Sequence, residues 1–223
     1  MRSRFHFVRS SVGMKALVAV TGLALLLYVI VHLAGNLLVF FGPQVFNSYS
    51  HTLLSNPLLV PVEIGLLFIG VGHVAYAVGL YVTNRQARPT LYRQKRYAVR
   101  PPSRKNLASA TMIVSGLWVL AFVAIHVNAF KYGSEYLVPA TGVRDLYRLE
   151  GEIFSDLWTV SFYVISMVVL GSHLWHGIVS AFQSLGAPWA GGARLPLLVG
   201  KTVAGLIAGG FIAIAVWGYM TRW

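Results

Sequence analysis

Long apolar runs separated by short polar segments dominate the pattern along the chain. Five runs reach the length of about 20 residues that a helix needs to cross the hydrocarbon core of a bilayer. Their continuous apolar character is typical of membrane spans rather than of surface helices. The pattern therefore predicts an all-α membrane helix bundle with five transmembrane helices, in a single domain over residues 1–223, with spans at about 14–40, 58–82, 107–130, 157–182 and 197–220.

The composition agrees with a lipid environment. Hydrophobic residues make up 57% of the chain and charged residues only 11%, whereas a soluble domain has about 25% charged residues. The chain has no cysteine, which excludes disulfides and thiolate-bound zinc and argues against an iron–sulfur cluster held by this chain alone. Any cofactor must therefore be held by histidine, methionine, backbone atoms or packing.

The basic residues are distributed unevenly between the two sides of the predicted spans. Fourteen Lys and Arg side chains fall on the side of the N-terminus, eight of them between the second and third spans, and four fall on the other side. Because basic loops stay in the cytoplasm, we expect a cytoplasmic N-terminus and an external C-terminus, and we call these sides inner and outer. The preference for basic residues on the cytoplasmic side, and their attraction to anionic lipid headgroups, then explain the net charge of +12. The charge therefore gives no reason to expect a nucleic acid as a partner.

Histidines in the first four spans match in depth as two pairs. At about 1.5 Å per residue, His32 and His126 lie about 27 Å from the inner end. His73 and His173 lie about 13 Å from it. Ionisable residues inside a membrane helix are costly and usually functional, and two histidines at one depth can bind a haem iron from both sides. A single such histidine is more often a hydrogen-bonded core residue, but four matched ones predict two bis-histidine haem sites.

Other polar residues in or near the spans could also carry chemistry. His176 lies three residues after His173, near the same helix face, so either could be the ligand. Glu63 is the only acid within an apolar span. It is either an interfacial acid favoured by a helix N-terminus or the proton-transferring group beside a quinone at the outer site.

Haem propionates, or a quinone, need hydrogen-bond donors near the membrane surface. The inner candidates, beside His176, are Ser10, Ser11, Lys15, Gln183 and Ser184, and the outer candidates are Lys131, Arg144 and Arg148.

Five stretches of the sequence carry a family resemblance. They are residues 10–22 (SSVGMKALVAVTG), 32–37 (HLAGNL), 46–49 (FNSY), Glu63 ten residues before His73, and residues 173–186 (HLWHGIVSAFQSLG). Together they resemble the cytochrome b membrane-anchor subunit of succinate dehydrogenase and fumarate reductase, of the single-chain, five-helix type with two haems. The resemblance covers essentially the whole chain. Met14 departs from it, because similar chains often carry a second basic residue there.

The resemblance implies an electron-transfer subunit of a respiratory complex in the cytoplasmic membrane of a prokaryote. In that family four histidines bind two b haems, and the spacing of the fourth ligand to a helix-terminal glycine, here Gly186, favours His173 over His176. The partners would be a flavoprotein subunit, an iron–sulfur subunit and membrane quinone, either menaquinone or ubiquinone, and the complex could form a homo-oligomer. The soluble subunits would dock on the basic loop from Arg85 to Lys105 and on the N-terminal arm.

Three other functions are compatible with the same spans. One is a haem-b anchor of another membrane oxidoreductase, such as a hydrogenase or a formate dehydrogenase. Another is a haem-free quinone-binding anchor, in which the histidines bond backbone or quinone. The last is a transporter that uses intramembrane His and Glu as a proton relay, which broken spans would favour.

Overall fold

A computed structural model describes residues 10–87, 111–186 and 194–221 of the chain. These residues form seven α-helices and no strand, apart from one isolated bridge between Leu137 and Arg144. The helices are α1 (Ser11–Asn36), α2 (Pro43–Leu54), α3 (Leu59–Gln86), α4 (Met112–Lys131), α5 (Leu146–Ile153), α6 (Leu157–Ser184) and α7 (Arg194–Thr221).

Five of these helices are long and apolar enough to cross a membrane, so the prediction of an all-α bundle with five spans is confirmed. They are α1, which continues as a 3-10 turn over Leu37–Phe41, and α3, α4, α6 and α7. The second span ends at Gln86, four residues beyond the predicted boundary. Residues 107–110, predicted to begin the third span, lie outside the described residues.

The two short helices were not predicted, because each is too short and too polar to match a membrane span. Helix α2 begins with Pro43 after Gly42, whose φ of 93° is a conformation that glycine adopts without strain. The amide of Asn47 donates to Asp145, 2.8 Å away. The backbone N–H of Tyr147 donates back to Asn47 over 3.0 Å. Helices α2 and α5 are thereby joined into a cap over the outer end of the bundle.

Helices α1 and α6 form the centre of the bundle. Helix α3 packs mainly on α1, while α4 and α7 pack on α6, so that α3 and α4 hardly touch each other. The buried apolar core lies toward the outer end, around Phe122, Phe154 and Tyr163. Helix α3 has no buried residue, and its side chain Phe68 is 73% exposed. Such apolar surface suits contact with lipid.

Candidate functional site

The outer histidine pair is brought together by α1 and α4. The ring centroids of His32 and His126 lie 5.9 Å apart with their planes nearly perpendicular, at 83°. Two imidazoles that bind one metal ion from opposite sides, with bonds of about 2 Å, have ring centres roughly 6 Å apart. Tyr28 stacks on the His32 ring at 5.5 Å, and Phe130 lies against His126 at 4.9 Å. The geometry therefore allows both rings to bind one central atom.

The inner histidines are each held by a hydroxyl on the neighbouring helix. Nδ1 of His73 lies 3.0 Å from the hydroxyl of Thr21 on α1. Nδ1 of His173 lies 3.0 Å from the hydroxyl of Ser115 on α4. Both contacts link one membrane span to the span before it in the chain, α3 to α1 and α6 to α4.

The hydroxyl groups determine which nitrogen of each inner ring carries the proton. Thr21 donates its hydroxyl hydrogen to the carbonyl of Leu17, 2.7 Å away. Ser115 donates to the carbonyl of Met112 over 3.1 Å. Since each hydroxyl has one hydrogen to give, its oxygen is left to accept from Nδ1–H of the ring. The opposite nitrogen, Nε2, then has the lone pair that a metal requires.

The two histidine levels follow from the positions of these hydroxyls. Thr21 is eleven residues before His32, and Ser115 is eleven residues before His126. Eleven residues of helix correspond to about 16 Å. His73 therefore lies at a level well inside His32, as the depth pattern in the sequence predicts.

Glycines allow the inner rings to lie against the neighbouring helices. A Cβ added at Gly22 would be 3.0 Å from Cε1 of His73, and one at Gly116 would be 3.2 Å from Cε1 of His173. Both distances are shorter than ordinary van der Waals contact. Each ring thus fills a space that any side chain at the glycine would occupy.

The arrangement fits haem better than a bare metal ion. Among the described residues, no group of three or more His, Asp or Glu side chains could hold a metal ion alone. A haem iron needs only two axial ligands from the protein, because the porphyrin supplies the other four. Within the same residues, the hydrogen bonds of the four rings all go through Nδ1. Nε2 of each ring therefore has no hydrogen-bond partner in this part of the chain, and each of the four side chains is partly exposed.

The outer rings have different Nδ1 partners. Nδ1 of His126 lies 3.3 Å from the hydroxyl of Tyr163 on α6. Nδ1 of His32 lies 3.3 Å from the amide nitrogen of Asn36, which also donates to the His32 carbonyl over 2.7 Å. The amide nitrogen faces Nδ1 as a donor, which leaves the ring proton on Nε2. Iron binding through Nε2 of His32 would move the proton to Nδ1 and would require Asn36 to turn its oxygen there, at the loss of its bond to the His32 carbonyl. The orientation of such an amide is assigned from its hydrogen bonds.

Glu63 pairs with Lys131 across the outer ends of α3 and α4, the one salt bridge among residues 10–87, 111–186 and 194–221. Its carboxylate also interacts electrostatically with Tyr28, whose ring stacks on His32. The structure thus places Glu63 at the outer end of α3, paired with α4, and both interpretations of this residue stay predictions.

A groove of about 450 Å³ lies at the outer end between α4 and α6. Ile125 and Phe162 contribute its apolar wall, and Glu152 and Asp156 bring carboxylates to its rim. Tyr163, the partner of His126, also lines it. The sequence pattern gave no indication of this groove.

The outer propionate candidates differ in what they contact. Arg144 donates to the Phe130 carbonyl over 3.1 Å, and its buried Nε has no partner among the described residues. Arg148 instead lies over the ring of Tyr136, 4.1 Å from its centroid, and Lys131 is paired with Glu63. Arg144 is therefore the outer candidate with an unpartnered buried donor, and it is bonded to Phe130, whose ring lies against His126.

The inner candidates lie at the opposite end of the bundle. The Ser10 hydroxyl caps α1 by accepting from the Gly13 N–H over 3.0 Å. Ser11, Lys15 and Gln183 are exposed. His176 is half-buried one turn beyond His173 and interacts with it electrostatically. The roles of all these residues as ligands or donors stay predictions.

Sequence reasoning missed the residues that hold the histidine rings. Thr21 and Gly22 lie within the first stretch of the family resemblance, but nothing there indicated a contact with His73. The equal spacing of the two hydroxyls from the outer histidines is the signal that could have identified them.

No protein-family model, curated protein or solved structure matches the chain.

Proposed function

We propose that this chain is the membrane-anchor cytochrome b subunit of a succinate:quinone oxidoreductase, either a succinate dehydrogenase or a fumarate reductase. It would transfer electrons between a cytoplasmic iron–sulfur subunit and membrane quinone. The observation that carries the proposal is the set of four histidine rings at two levels, each bonded through Nδ1 and each with Nε2 unpartnered. The family resemblance adds the identity of the partners.

Two b haems, when bound, would supply one-electron redox chemistry at the two levels. His32 and His126 would hold the outer haem, and His73 and His173 the inner one. The chain itself orients these rings and surrounds them with apolar side chains. Arg144, with its unpartnered buried Nε, is the best outer donor for a propionate.

The matched depths of the four histidines argue against the haem-free functions. A haem-free anchor or a proton relay gives no reason for two histidines at each of two depths, whereas two haems with two axial histidines each require them. A haem-b anchor of a hydrogenase or formate dehydrogenase shares the histidine geometry and differs in its soluble partners. We therefore test the proposal by purifying the tagged chain from its native membrane and identifying its partners by mass spectrometry. Flavoprotein and iron–sulfur subunits that oxidise succinate support it, and a hydrogenase or formate dehydrogenase subunit in their place contradicts it.

The proposed quinone site lies at the outer pair beside Glu63. Quinone reduction and quinol oxidation both need a group that moves a proton at the quinone oxygen. Glu63 can do this next to Tyr28 and His32, and Lys131 holds its carboxylate in place. We expect Glu63→Gln to slow quinone turnover while both haems stay bound. Glu152→Gln, in the groove between α4 and α6, is the matched variant. If quinone turnover slows in Glu152→Gln and not in Glu63→Gln, the quinone site is the groove and not the position beside Glu63.

The proposed orientation places the N-terminus in the cytoplasm of a prokaryote, with the chain as a multi-pass protein of the cytoplasmic membrane. Of the proposed docking surface, residues 1–9 and 88–105 lie outside the described residues. Reversing the charge of several basic residues in it should release the soluble subunits from purified membranes. If the complex stays intact, the docking surface lies elsewhere.

A further inference from the structure

The first four spans contain a repeated arrangement of four residues. On α1, Thr21 and Gly22 are followed by His32, eleven residues after the hydroxyl. On α4, Ser115 and Gly116 stand at the same distance before His126. In each case the hydroxyl bonds the histidine of the next span, and the glycine faces the same ring. The two pairs of spans thus hold their inner histidines in the same way.

Each inner ring makes two contacts with the neighbouring helix. The hydroxyl oxygen accepts from Nδ1–H at 3.0 Å in both cases, which fixes the tautomer and the direction of the ring. The glycine lets Cε1 approach the helix so closely that a Cβ there would require the ring to move by a few tenths of an ångström. Both contacts lie on the Nδ1–Cε1 edge of the ring, so this edge is held against the neighbouring helix and Nε2 lies beyond it.

We propose that Thr21 and Ser115 are matched positioning residues for the inner haem. They fix the tautomer and plane of its two axial histidines and, through the Nδ1 hydrogen bonds, make both rings stronger ligands. The inference rests on the proposed haem function and extends it to residues that do not touch the haem iron. Partners of the second nitrogen generally orient a ligating histidine and raise its basicity, and their loss typically weakens metal binding by about 10–100-fold.

The outer pair lacks this arrangement. Its Nδ1 contacts are longer, at 3.3 Å, and involve a phenol and an amide, Tyr163 and Asn36. Loss of Thr21 or Ser115 should therefore act on one haem alone. A stronger axial donor favours ferric iron, so loss of either hydroxyl should raise the midpoint potential of the inner haem and leave the outer one unchanged.

The test uses the purified full-length chain in detergent and the variants Thr21→Val and Ser115→Ala. Redox titration of the haem absorbance gives both midpoint potentials, and low-temperature EPR of the ferric haems reports the ligand planes. The inner haem is identified as the signal that His73→Ala removes. Thr21→Ser keeps the hydroxyl and should behave as the wild type. Thr83→Val is the matched control, because Thr83 bonds the carbonyl of Gly79 over 2.8 Å and touches no histidine.

The outcomes separate this inference from the proposed function. A wild-type chain without haem overturns the proposed function. A wild-type chain with two haems, whose potentials and EPR spectra are unchanged in both variants, overturns only the positioning role. A positive shift or loss of the inner haem in Thr21→Val supports the role when Thr21→Ser restores the wild-type behaviour. If Thr21→Ser fails to restore it, or if Thr83→Val shifts the same haem, the role is overturned.

Discussion

Replacing Glu150 with Gln should stabilise the protein at neutral pH. Glu150 lies in α5 at the outer cap and is only 2% exposed. It makes no ion pair in the part of the chain that the structure describes. Burial raises the pKa of its carboxyl from 4.5 to about 8. The folded protein therefore keeps a proton on Glu150 at neutral pH that the unfolded chain has released.

The magnitude follows from the difference between the two pKa values. A raised carboxyl pKa means that the free energy of unfolding falls as pH rises from 4.5 to about 8. The fall is about 1.4 kcal/mol per pH unit, or about 3 kcal/mol at pH 7. Glutamine does not titrate, so Glu150→Gln escapes this loss. The variant should match the wild type near pH 4.5 and exceed its stability increasingly above that pH.

Thermal unfolding in detergent from about pH 5 to pH 8, followed by circular dichroism, measures the effect. At about 2–4 °C per kcal/mol, the midpoint of Glu150→Gln should exceed that of the wild type by several degrees at neutral pH. Glu152→Gln is the control, because this side chain is exposed on the same short helix and should change little. A midpoint difference that stays constant with pH, or a variant less stable than the wild type at neutral pH, would refute the reasoning.

Three further predictions concern the cap and the histidine sites. Asn47→Ala removes both hydrogen bonds that join α2 to α5 and should lower the free energy of unfolding by about 1–3 kcal/mol. The control is Thr52→Ala, at an exposed position of α2, and an equal loss in both variants would contradict the joining role of Asn47. Gly22→Ala places a Cβ 3.0 Å from Cε1 of His73, so it should displace the ring and lower the content of the inner haem. An unchanged haem content would show that the ring can move aside without losing the haem. His173→Ala should lose one haem while His176→Ala retains two, and the opposite result would make His176 the ligand.

The sequence was sufficient for the architecture because a membrane span is encoded locally. About 20 apolar residues define each span without reference to the rest of the fold. Helices α2 and α5 were missed because they depend on tertiary contacts, chiefly the bridge through Asn47. Helix boundaries moved by a few residues for the same reason.

The histidine levels could also be predicted, because depth along a helix is proportional to residue number. The partners of the rings could not, since each hydroxyl lies more than fifty residues from its histidine in the sequence. The ion pair between Glu63 and Lys131 and the burial of Glu150 likewise depend on how α3, α4 and α5 approach one another. The pattern of apolar and polar residues within one span contains no information on contacts between different helices.

A reduced-minus-oxidised visible spectrum with haem quantitation on the purified full-length chain tests the central claim most directly. The four histidines with unpartnered Nε2 atoms lead us to expect two b haems per chain. A preparation that is folded by circular dichroism and contains no haem would contradict the account.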